Sequence, residues 1–237
     1  MVTRSRGATT AGAWHRVSSP YVPDWDVLRE QIADQPDAPE LALWFVRHGE
    51  TATNTAGLIT GTRDAPLNER GRRQARAAGA ALAVRAFDLA FASQLRRSRE
   101  TLELMIAAGR FEVADTVADA RLAERSLGEL ELTKIRARQT APPPLSAGPR
   151  RGESYLALTQ RCLSFLLDLR MLAAELDRPA TVLVSSHQGP MRIFAGILER
   201  VSDPVGVLVR RFENSLPECM ALGHVGFPAF VGDTSEG

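Results

Sequence analysis

The chain has 237 residues, 44% of them hydrophobic, which is enough for one sizeable core. Its 29 basic and 28 acidic side chains nearly cancel, with no long run of either sign, so nothing in the charge pattern marks a nucleic-acid or anionic-membrane surface. No segment has the length of a membrane span, no apolar signal region precedes Trp14, and Cys162 and Cys219 lack metal or redox spacing, so a reduced, cytoplasmic setting is expected.

Residues 1–40 mix Arg, Ser, Gly, Ala and Pro and read as a partly mobile N-terminal extension. Within it, residues 24–32 suit a short amphipathic helix that lays Trp25, Leu28 and Ile32 on the domain. The apolar run 41–46 is the first buried strand, and a Gly- and Pro-bearing loop covers 57–68. Asn68 caps a helix to about residue 84, with Leu67 as a staple. A strand at 88–92, a helix at 95–108 and a short strand at 113–117 follow. Residues 139–152, with prolines at 142–144, form a surface loop or lid. A long helix then runs to about 176 and is stopped by Pro179. The remaining elements are a strand at 181–185, a helix at 191–199, strands at 205–209 and 219–222, and a loose tail at 226–237. The alternation gives an α/β fold on a largely parallel sheet, with the main domain at 41–225.

Chemistry collects at strand ends. Arg47-His48 follows the first strand, Ser93 with Arg96 and Arg97 follows the second, and Ser185-Ser186-His187 follows a later one. In a parallel sheet these ends share one side, so groups distant in sequence can converge. Two histidines with arginines describe an anion site, and Gly49, Gly61 and Gly189 let backbone N–H groups approach a phosphate. A metal held by His48, His187 and Glu124 is disfavoured, because the arginines would repel a cation.

The ordered motifs resemble those of the histidine phosphatase superfamily, also called phosphoglycerate mutase-like. They are Arg47-His48-Gly49-Glu50-Thr51 with Asn54; Thr60-Gly61 with Asp64, Pro66-Leu67 and Gly71; Ser93-Gln94-Leu95-Arg96-Arg97 with Thr101; Leu122-Ala123-Glu124-Arg125 with Gly128; Gly152-Glu153-Ser154; and Val184-Ser185-Ser186-His187. The resemblance implies a three-layer α/β/α fold. It also implies a phosphomonoester hydrolase in which His48 becomes a phosphohistidine and Glu124 is the proton donor and later the base. Arg47, Arg97, His187, Asn54, Gly61 and Gln188 would bind the phosphoryl group, with His187 protonated beside it, and Glu50 could be structural. No metal or cofactor is implied. The partner would be a small phosphorylated metabolite, and a homodimer is possible. The sequence departs from the family at Arg63, where an aromatic residue is common, at Gln188, where glycine usually follows the second histidine, and at Leu132, also a usual glycine. Arg63, Glu153 and Arg151 are therefore the candidates for substrate specificity. The short stretch from Glu129 to Arg151 favours hydrolysis over a phosphoglycerate-type mutase; a weakly catalytic phospho-ligand binder is the third reading.

Overall fold

The computed structural model describes residues 22–33, 39–83, 85–113, 115–135, 145–176, 178–199, 203 and 205–222. The expectations for residues 1–21, for the prolines at 142–144 and for the tail 226–237 lie outside the described residues.

The apolar run becomes strand β1 (Leu41–Arg47), an interior strand paired on both sides. Side chains alternate across a strand, so Leu41, Leu43 and Phe45 enter the core on one face and Val46 enters the core on the other. With β2 (Leu89–Ala92), β3 (Thr116–Ala118), β4 (Ala180–Ser186) and β5 (Pro217–Leu222), the order is β3-β2-β4-β1-β5. The pairs β2–β3, β2–β4 and β1–β4 are parallel, and β5 joins β1 antiparallel. One face is covered by α1 (Trp25–Ala33), α5 (Tyr155–Leu176) and α6 (Gln188–Leu198), where Phe45 stacks on Phe194 at 4.7 Å. The other is covered by α3 (Glu69–Ala81) and α4 (Arg96–Gly109). The short α2 (Ala52–Thr55) lies beyond the end of β1. This is a mixed α/β fold whose helices flank a mostly parallel sheet on both faces.

Local chemistry accounts for the boundaries. Asn68 caps α3 as its sequence position suggests, its Oδ1 accepting from the Gly71 N–H at 2.8 Å. Helix α1, counted with the extension, belongs to the core: Trp25, Leu28 and Ile32 are buried, and Arg29 donates to the Gly196 and Glu199 carbonyls at the end of α6. Helix α6 starts at Gln188, ahead of the expected start at 191, because Pro190 falls in its first turn, where a missing N–H costs no intrahelical bond.

One strand expectation is overturned. Residues 205–209 form a 3₁₀ turn (Gly206–Val209), with Val207 and Leu208 packed in the α6-side core. Asp203 starts that turn, its Oδ1 accepting from the N–H groups of Val205 and Gly206 at 3.1 and 2.8 Å. A short apolar run thus finds burial without entering the ladder.

Candidate active site

The end of β1 hands the chain directly to the site. The His48 N–H continues the parallel ladder to the Ser186 carbonyl at 3.0 Å. The His48 ring is buried, and its Nδ1 lies 2.8 Å from the Gly49 carbonyl oxygen. A carbonyl can only accept, so Nδ1 carries the proton and Nε2 keeps a lone pair. That lone pair receives the Arg97 Nε–H at 3.2 Å. Burial first, then the charges of Arg97 and Arg47, hold the His48 pKa well below 6.5.

At the end of β4, His187 stands with its ring 5.0 Å from that of His48. Its Nε2 is 2.6 Å from the Ser93 hydroxyl, while its buried Nδ1 has no partner among the described residues. Burial, then Arg97 and His48, hold this pKa well below 6.5 as well. Each nitrogen of Arg97 has a partner, with Nη1 donating to the Arg63 carbonyl at 2.8 Å and Nη2 to the Gly61 carbonyl at 2.7 Å. Its neighbour Arg96 is exposed. Arg47 donates from Nη1 to the Phe212 carbonyl at 2.9 Å, and its buried Nε is unpartnered among the described residues. Burial lowers the pKa of both arginines, and in each Glu124 is the leading opposing charge.

Glu124 is half-buried, its Oε1 accepting from the N–H groups of Arg125 at 2.8 Å and Gly189 at 3.1 Å. The second bond ties it to the first turn of α6, two residues past His187. A Cβ on Gly189 would lie 2.4 Å from Glu124 Oε1, so a larger residue there would displace the tip of that carboxylate. Five sequence candidates are thus linked: Arg97 contacts His48, the two histidine rings adjoin, and Glu124 acts on the charges of Arg47 and Arg97, while Gly61 accepts from Arg97 through its carbonyl.

The others are placed differently. The Asn54 side chain closes a capping box, its Oδ1 accepting from Thr51 N–H at 3.1 Å. Both ends of the Gln188 amide are committed to residues 210–212, and its backbone N–H lies in the first turn of α6. Glu153 makes a bidentate pair with Arg161 at 2.7 and 2.9 Å, and that arginine also holds the Arg121 and Glu124 carbonyls. Glu50 accepts from Asn68 and Thr55 beside α3 and has a structural role. Arg63 and Arg151 line a cavity of about 510 Å³ together with Asp64, Glu129 and Glu131. Among the described residues no group of three or more His, Cys, Asp and Glu could hold a metal ion. No helix among them is long and apolar enough to cross a membrane.

Sequence reasoning missed Glu131 and Asn214. The Glu131 Oε1 accepts from Thr62 N–H, Thr62 Oγ1 and Leu127 N–H at 2.9, 3.0 and 3.1 Å, and so fixes the loop that supplies the Arg97 carbonyls. Asn214 Nδ2 donates to the His48 carbonyl at 2.6 Å. Both do backbone work, which leaves no motif.

The chain belongs to the histidine phosphatase superfamily (branch 1), which it matches over residues 43–204. A 2,3-bisphosphoglycerate-dependent phosphoglycerate mutase of Azorhizobium caulinodans is 33% identical over 192 residues, covering 76% of this chain and 92% of that protein. The α-ribazole phosphatase of Shigella flexneri superposes with a TM-score of 0.61 at 25% identity, over 75% of this chain and 89% of its own. A phosphoglycerate mutase of Bacillus anthracis shares the fold at a TM-score of 0.66 and 21% identity, over 79% and 90% of the two chains.

The buried histidines make stability pH-dependent. They are neutral when folded and titrate near 6.5 when unfolded, so below that pH the unfolded chain binds more protons. Stability is therefore complete above 6.5 and falls with acidification, by roughly 1 to 1.5 kcal/mol per histidine per pH unit until the folded pKa is reached. Urea unfolding between about pH 7 and about pH 5 should show this slope, and His187→Gln should flatten it. An unchanged slope in that variant would mean that His187 is already protonated in the fold.

Proposed function

We propose that the protein hydrolyses small phosphomonoesters through a phosphohistidine on His48. The reading is supported by a neutral imidazole whose proton is fixed on Nδ1, beside two buried nitrogens, Arg47 Nε and His187 Nδ1, that have no partner among the described residues. Unpaired buried polar groups are costly, and a phosphoryl oxygen would satisfy them. In the first step the His48 Nε2 lone pair attacks phosphorus in line, and the P–O bond to the alcohol breaks as Glu124 gives that oxygen a proton. Arg97 Nε, which covers the lone pair in the free site, passes to a phosphoryl oxygen. The Gly49 carbonyl stabilises the positive ring that forms. In the second step water loses a proton to Glu124 and attacks phosphorus, the P–N bond breaks, and inorganic phosphate leaves. Gly61 holds Arg97 in place, the backbone N–H of Gln188 and the Asn54 segment are the further phosphate contacts, and His187 becomes protonated as the anion arrives.

The preference for hydrolysis over mutase action is supported by the charge of the cavity lined by Arg63, the residue whose carbonyl accepts from Arg97 Nη1. Its lining carries Asp64, Glu129 and Glu131 against Arg63 and Arg151. Arg63 pairs with Glu131 at 3.2 Å, and Arg151 pairs with Glu129 at 3.8 Å. Were the leaving group to occupy this cavity, the three carboxylates against two arginines would suit an uncharged, polar group better than a second phosphate. Insertion length does not separate the activities, since the Azorhizobium mutase is matched over 92% of its length. That relative's name is what favours the mutase reading. The wild type should release phosphate from p-nitrophenyl phosphate and sugar phosphates with no added bisphosphate. Interconversion of phosphoglycerates that requires 2,3-bisphosphoglycerate and outpaces hydrolysis would assign it as a mutase instead.

A further inference from the structure

We propose that Gln188, the residue standing where the family usually has glycine, is a positioning residue that acts on the phosphoryl group through Arg47. The inference rests on the reading of Arg47 as a phosphoryl ligand and goes beyond it. Gln188 opens α6 directly after His187, yet its side chain turns to the strap of residues 210–215. Its Nε2 donates to the Arg210 carbonyl at 2.8 Å, and its Oε1 accepts from the Phe212 N–H at 3.2 Å. The other side of that residue, the Phe212 carbonyl, accepts from Arg47 Nη1 at 2.9 Å. One residue, Phe212, therefore separates the glutamine amide from the guanidinium.

The strap is well fixed at its origin. Arg192 Nε also donates to the Arg210 carbonyl at 2.8 Å, and the Arg210 side chain pairs with Glu199 at 2.6 Å and with Glu218. Further on, Ser215 N–H donates to the Arg47 carbonyl at 2.8 Å, and Asn214 holds the His48 carbonyl. At Phe212 itself, the only side chain among the described residues that fixes the backbone N–H is Gln188. Arginine has several rotatable bonds, and burial makes each misdirected donor costly. Fixing the Phe212 peptide sets where Arg47 Nη1 is anchored, and with it the direction of the unpartnered Nε.

The test is a double-mutant cycle read by orthovanadate, which adopts the trigonal bipyramid of phosphoryl transfer. Gln188→Met keeps the side-chain length and removes both bonds. It should weaken vanadate binding roughly tenfold in the wild-type background and less than about twofold in Arg47→Ala, because its effect passes through Arg47. A loss of equal size in both backgrounds, or none in either, overturns the proposal. If Gln188→Met does not fold, Gln188→Gly carries the same cycle without adding bulk. Vanadate needs only the phosphoryl cradle, so a wild type that binds it but hydrolyses no monoester refutes hydrolysis and leaves this cycle to decide. A wild type that does not bind vanadate overturns both.

Discussion

His48→Ala should abolish phosphoryl transfer, lowering kcat by about 10⁴ to 10⁶ as expected for removal of a covalent nucleophile. Nothing nearby can replace it. Among the described residues His187 is the only other imidazole; its Nε2 is held by Ser93, and it already serves as an anion donor in the proposed chemistry. The variant should also fail to form an acid-labile phosphoenzyme when quenched during turnover, while circular dichroism reports an intact fold. A kcat within about tenfold of the wild type would move the nucleophile elsewhere. The same variant keeps Arg47 and Arg97, so it should still bind orthophosphate, which separates loss of chemistry from loss of the site.

The largest effect on stability is expected at Gly71. A Cβ there would lie 2.1 Å from the Glu50 carbonyl oxygen and 2.6 Å from the Glu50 nitrogen. Seen from the other side, a Cβ on Gly49 would lie 2.5 Å from the Gly71 carbonyl oxygen. The backbone of the RHG loop thus rests on the first turn of α3 with no room for a methyl group, and neither partner is a flexible side-chain tip. Gly71→Ala should cost about 3 kcal/mol, in the range of overpacked buried sites. For a chain of this size that is about 6 to 12 °C in Tm. A thermal melt shifted by less than about 1 °C would show that the loop yields. Activity should fall with stability, since Glu50 and His48 share that loop.

Residues whose chemistry is unusual for their surroundings were readable in advance. Arg47 and His48 at the mouth of an apolar strand, Arg97 beside Ser93, and His187 after a β-branched strand all disagree with burial, and the structure brings them together. Glu131 and Asn214 were silent because a carboxylate or amide that holds loop backbone looks like any surface polar residue in a sequence. Gln188 was legible as a departure, but its direction depends on where residues 210–212 pass, and no local pattern gives that. The 205–209 run failed for a related reason: apolar residues in a short stretch report burial, while pairing depends on which edge is free. Glu153 was seen as a substrate contact, but its partner Arg161 lies on α5, eight residues away along the chain, and spends that carboxylate on holding the acid segment.

Strand β1 pairs with β4 in register from Leu41 opposite Ala180 to Arg47 opposite Ser186, so the two histidines follow paired central strands that nearly 140 residues of chain separate. Their meeting closes a loop of that length, and the entropy of closing it delays the contact. A chain emerging from the ribosome carries His48 early, but without His187 or the first turn of α6 that holds Glu124. The chemistry proposed for this site therefore waits on the completed central sheet.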